Sequence, residues 1–155
     1  MEYLWLKSAH ILAVVLFLGN TITGLFWKRH ADRSKEAALM VHALRGITRS
    51  DYWITLPSAA AILVTGFGLT GVGRIGVLTT GWVWKSGLLL AASGVIYGLF
   101  VAPLQKRLEK LAAAGLQSGQ VDWPVYRRTS RWWEFWGAVA VVAPLVALHL
   151  MVTKR

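Results

Sequence analysis

The sequence predicts an all-α protein, a four-helix transmembrane bundle with amphipathic helical extensions at its cytoplasmic end. Three observations carry this expectation. Hydrophobic residues make up 55% of the 155 positions and charged residues 15%, against roughly 25% charged in an ordinary soluble domain. The apolar residues gather into four stretches, each near the roughly 20 residues that a helix needs to cross a hydrocarbon core of about 30 Å. Lys and Arg gather mostly between the stretches instead of within them. Mean hydropathy is +0.50, so disorder is excluded. The absence of Cys removes disulfides, Cys-ligated zinc and iron–sulfur clusters.

The first stretch, residues 3–26, is interrupted by Lys7, His10 and Asn20. Its start, MEYLWLK, is not a basic leader and no small-residue cleavage site follows, so the reading is a retained span. The second, 52–72, holds no charge. The third, 81–104, has Lys85 near its start, and the fourth, 135–152, has His149 near its end. Each is expected to be a helix, because a helix satisfies its own backbone in lipid. The chain then forms one membrane domain over 1–155, with no internal repeat.

Charge sets the expected orientation. Residues 28–51 carry six Lys/Arg and residues 105–134 another six, whereas 73–80 carry only Arg74. By the positive-inside rule the two rich connections are cytoplasmic, in a bacterial inner membrane, and both termini lie outside the cytoplasm. The net charge of +10 is thus a topology signal and a contact with anionic lipid, and no nucleic acid is expected. Met40, Ala43, Leu44 and Ile47 share a helical face, so residues 35–49 read as an amphipathic helix that lies on the membrane or extends the second span inward. Leu104, Leu108 and Leu111 continue the third span similarly after Pro103. Residues 112–120 read as a loop.

Small residues mark where helices can approach in lipid. Such stripes occur at Ser58, Ala61, Thr65 and Gly68, at Gly87, Ala91, Gly94 and Gly98, and at Gly137, Ala140, Pro144 and Ala147. Pro57 and Pro144 are expected to kink their helices.

Ionisable residues inside a span usually face protein or water. Lys7 and Lys85 lie near a surface and can snorkel. His10 lies deeper, and reads either as a hydrogen-bonded structural side chain or as a haem or metal ligand. His149 is a second candidate from another span, although its helical position points away from the Gly137–Ala147 stripe. His30 and His42 fall in basic connections. No HExxH, P-loop, GxGxxG or GxSxG motif is present, so no catalytic residue is nominated.

The opening YLWLKSAHILAVVLFLGN, with GLFWKRHAD, ITLPSAAAILVTG and WVWKSGLLLAASGVIYG after it, resembles HemJ-type protoporphyrinogen oxidases and CopD-like membrane proteins. In length and layout the chain resembles most an uncharacterised bacterial integral membrane protein family of that superfamily. The HemJ resemblance implies a four-helix protein that binds haem b and oxidises protoporphyrinogen. It matches His10, His30 and Lys85 to the family's two His and its third-span Lys. Tyr97-Gly98 stands where the HemJ type has Tyr-His, which weakens the catalytic carry-over. The CopD resemblance implies copper handling, for which three Met and no Cys offer little soft coordination.

The leading expectation is a haem-b-binding or redox-linked membrane protein with His10 on the metal and Lys85, His30 and His149 as further cofactor candidates. One alternative is a non-enzymatic transport or assembly accessory whose His and Lys are structural, and another is a copper-handling permease. The lipid bilayer is the expected partner, the redox partner is unspecified, and a homo-oligomer is compatible.

Overall fold

A computed structural model describes residues 1–154. Six α-helices follow in order: α1 (Glu2–Ser34), α2 (Ala37–Ser50), α3 (Leu56–Val72), α4 (Gly81–Ile96), α5 (Ala102–Ser118) and α6 (Trp123–Thr153). Two π-helical segments, Asp51–Thr55 and Tyr97–Val101, join α2 to α3 and α4 to α5 without a break. The result is four long rods, all apolar enough to cross a membrane.

Both π segments have one cause. Pro57 and Pro103 lie in the first turns of α3 and α5. A proline ring collides with the carbonyl four residues back and offers no N–H. The helix relieves the collision by admitting one extra residue, and the Leu56 and Ala102 amides reach back five residues to the carbonyls of Asp51 and Tyr97. Pro57 is thus absorbed in a π turn. Pro144 leaves α6 continuous. Its missing N–H frees the Ala140 carbonyl, and the Ser93 hydroxyl of α4 donates to that oxygen at 2.7 Å. A neighbouring hydroxyl replacing a lost backbone donor is how membrane helices tolerate proline.

The rods Ala37–Val72 and Gly81–Ser118 have 36 and 38 residues, or about 55 Å each at 1.5 Å per residue. That exceeds the hydrocarbon core by some 25 Å. The surplus lies at one end, where α2, α5, the end of α1 and the start of α6 carry most of the basic residues. In this basic half α1 packs on α2, α2 on α5 and α5 on α6. The hydrophobic core sits here, around Met40, Leu44, Leu108, Ala112, Tyr126 and Trp133. The expected amphipathic helix is therefore an extension of the second rod beyond its apolar stretch, with Met40, Val41, Leu44 and Ile47 buried.

Residues 112–118 are helical, not the expected loop. Ala112 and Gly115 are buried, and the last turn of α5 is held by the return of the chain. A Cβ on Gly115 would run into Val121, so only Gly fits. Gly119, at φ 76°, ends the helix. Asp122 then caps α6, accepting from the Val125 amide at 3.2 Å.

In the opposite half the bundle divides. α1 packs on α3 and α4 packs on α6, while α3 barely meets α4 and α1 meets α6 little. The α3 stripe faces α1, where Leu6 lies against Gly68. The α6 stripe faces α4, with Ala140, Pro144 and Ala147 buried. The third stripe differs from expectation. Sites for a Cβ at Gly87, Gly94 and Gly98 meet nothing within 4 Å. α4 instead presents Ser86 and Ser93 to α6, donating to the Ala147 and Ala140 carbonyls.

Candidate functional site

Asp51 opens the first π segment and is buried. A buried carboxylate needs donors on its lone pairs or a cation beside it. Here the Thr55 hydroxyl donates to Oδ1 at 3.0 Å. The Tyr97 hydroxyl and Gln105 Nε2 donate to Oδ2 at 3.0 and 3.3 Å. No ion pair among the described residues includes Asp51. The donors are themselves fixed. Thr55 accepts from Asn20 at 2.8 Å, Gln105 also donates to Thr48 at 2.9 Å, and Gln105 Oε1 accepts from the Trp133 indole at 3.1 Å.

Tyr97 opens the second π segment. The two widened turns, both created by proline, thus present a carboxylate and a phenol to each other. π bulges often occur at functional sites. The Asp51–Tyr97 bond is also where the α1/α3 and α4/α6 pairs part. Beyond it, His10–Thr65, Ser86–Ala147 and Ser93–Ala140 all lie within a pair.

A second polar cluster lies toward the basic end. Lys28 is fully buried, with Asp32 at 2.7 Å, Glu134 at 3.3 Å and the Ser130 hydroxyl beside it. Its ammonium lies 5.3 Å from the Trp133 ring centre and 5.9 Å from that of Tyr126. Tyr126 donates to Asp32 at 2.7 Å, and Arg29 pairs with Glu134 at 2.9 Å. Two cations thus meet two carboxylates, and Trp133 touches both clusters. Tyr126 and Glu134 lie beyond the apolar stretch of α6. Burial, then the Asp32 carboxylate, pushes the Tyr126 phenol well up. Burial would raise Glu134, but Arg29 and Lys28 outweigh it and hold its carboxyl below the usual value.

His10 lies between α1 and α3, nearly buried and against Gly66. Its Nδ1 is 2.9 Å from the Thr65 hydroxyl oxygen. That hydroxyl gives its own hydrogen to the Ala61 carbonyl at 2.5 Å. The imidazole is thus held by polar groups of α3, and a neutral imidazole is one candidate ligand for a metal or haem. The other nominated residues do not join it. His30 is twenty residues along α1, or roughly 30 Å away, exposed and stacked on Phe26. Lys85 is exposed, with its ammonium 6.0 Å from the Trp84 ring, and His149 is exposed on α6. No group of three or more His, Cys, Asp or Glu able to hold a metal occurs among the described residues.

Asp51, Tyr97, Gln105 and Lys28 escaped the sequence reading, because Asp51, Gln105 and Lys28 counted only as parts of polar connections. The available signal was a lone acid directly before an apolar stretch, with a proline six residues on, mirrored by Tyr97 six residues before Pro103.

A family model for predicted integral membrane proteins (DUF2269) matches residues 4–155. The chain belongs to that family and is an integral membrane protein. No curated protein and no solved structure matches it. The resemblance to HemJ-type and CopD-like proteins gains no support from these comparisons.

Proposed function

We propose that the chain is a non-enzymatic membrane module in which the Asp51 site ties the two helix pairs together and so sets how far they separate. The observation that supports this is the Asp51 site, a buried carboxylate with no ion pair among the described residues, held by donors from both long rods. The groups facing it are Thr55 and Thr48 on its own rod, Tyr97 and Gln105 on the other, and Asn20 behind Thr55. Oδ2 of Asp51 accepts from Tyr97 and from Gln105, and both bonds run between the two rods. In this reading the basic half faces the cytoplasm of a bacterium, both termini face outward, and the cleft between the pairs opens outward.

Because the chain has no Cys, spin labels can be placed singly at Leu12 on α1 and Leu88 on α4, both exposed. In reconstituted protein the distance between them should be longer in Asp51→Ala than in the wild type, while the variant remains folded. An unchanged distance in well-folded Asp51→Ala would overturn the reading.

His10 favours a second reading, in which it would hold the iron of a haem b. The bound haem would supply one-electron chemistry, and the Thr65 hydroxyl would orient the imidazole. Protein expressed with ample haem should then show a Soret band that His10→Ala abolishes. Colourless, well-folded wild type would remove this reading.

A further inference from the structure

A cavity opens between α5 and α6 on the outside of the basic half, lined by Leu104, Arg107, Val125, Arg128, Thr129 and Trp132. We infer that it binds the phosphate of an anionic phospholipid, with Arg107 and Arg128 on the headgroup and Leu104 and Trp132 along the start of an acyl chain.

Three features point to that occupant. The first is depth. Leu104 is the last residue of the apolar stretch, Arg107 is about one turn beyond it, and Trp132 is about one turn before the apolar stretch of α6. A site at this level on the outer surface of a membrane bundle faces lipid headgroups, where indole rings also settle. The second is charge. Neither arginine has an acidic partner among the described residues. The acids nearby are engaged elsewhere, Glu109 with Arg45, Glu134 with Lys28 and Arg29, and Asp122 in the cap of α6. Two guanidinium groups from two helices therefore meet at one cavity without neutralisation, and guanidinium matches phosphate oxygens in geometry. The third is the remainder of the lining, which is apolar apart from Thr129. The Thr129 hydroxyl already donates to Val125. A free phosphate would leave this apolar wall unused, whereas a lipid covers it.

The full chain in nanodiscs of phosphatidylcholine containing one tenth phosphatidylglycerol should retain phosphatidylglycerol when extracted gently and weighed by native mass spectrometry. Each guanidinium–phosphate contact is a charge-assisted hydrogen bond, so Arg107→Gln with Arg128→Gln should lower this enrichment by about a hundredfold. Lys106→Gln with Arg127→Gln removes the same charge from the same two helices outside the cavity and should leave most of it. Melting in pure phosphatidylcholine checks that both variants fold. Equal losses in the two variants would reduce the effect to general surface charge. Stabilisation by inorganic phosphate equal to that by the lipid would mean a free-phosphate site. Either result, or no enrichment in the wild type, overturns the inference.

Discussion

The two halves of the bundle are held together differently. The basic half is closed by large side chains and charge. Tyr126 and Trp133 fill the space between α1 and α6, and Lys28, Asp32 and Glu134 tie these helices together across it. The opposite half is two helix pairs, each joined by small residues and single hydroxyls, with almost nothing between the pairs. The difference follows from the solvent. In the extension beyond the apolar stretches, water drives apolar side chains inward and a conventional core forms. Within lipid that drive is absent, and only close backbone approach and hydrogen bonds favour contact. Asp51, Tyr97 and Gln105 occupy the border between the two regimes.

The largest effect should come from the closed half. Lys28→Met leaves Asp32 and Glu134 facing each other without their shared cation. Removing one partner of a buried ion pair costs roughly 3–5 kcal/mol, and the lower end applies because both carboxylates are partly exposed. Reversible unfolding in mixed micelles measures it. A loss below 1 kcal/mol would mean that the closed half does not depend on this charge cluster.

Next is the border. Tyr97→Phe removes one donor from Asp51 and keeps the ring. A hydrogen bond to a charged group contributes about 1.5–3 kcal/mol. The same unfolding measurement should show a loss in that range, and the label distance between Leu12 and Leu88 should increase. A stability loss without a change in distance would show that the bond does not hold the pairs together.

Much of the open half was legible in the sequence. Apolar length gives the spans, and periodic small residues give the facing surfaces of α3 and α6, because both signals are local. The α4 surface was not legible, since a Gly stripe and a Ser pair are equally plausible contacts on a wheel. Only the position of Pro144 in a different helix makes Ser93 the useful one. The Asp51 site was hidden for a related reason. Two of its three donors come from 46 and 54 residues away, and nothing local separates a buried acid from a solvated one beside six Lys/Arg. The helical end of α5 was missed because Gly115 resembles a loop residue until Val121 is known to lie against it.

A smaller effect is expected within the α4/α6 pair. Ser93→Ala leaves the Ala140 carbonyl, already deprived of its helical partner by Pro144, without a donor. Hydrogen bonds between membrane helices average about 0.6 kcal/mol, and this one should lie near or above that mean. Ser86→Ala should cost less, because no proline frees the Ala147 carbonyl that Ser86 meets. Equal losses in the two variants would mean that Pro144 creates no special need for Ser93.

The smallest effect should be at Gly94. A GxxxG stripe ordinarily marks a helix contact, and on that basis Gly94→Leu would force α4 off its neighbour. In the structure no atom lies within 4 Å of a Cβ placed there, so the new side chain enters lipid without displacing anything. Replacing Gly inside a helix also removes a propensity penalty of up to about 1 kcal/mol in water. Gly94→Leu should therefore be neutral or slightly stabilising in the unfolding measurement, while Ser93→Leu, one residue away but facing α6, should be severely destabilising. The pair of variants separates the two faces of one helix. If Gly94→Leu instead destabilises by more than about 1 kcal/mol, its face is covered in the assembled protein, and the loss should then depend on protein concentration in the micelle, as contact with a second copy requires.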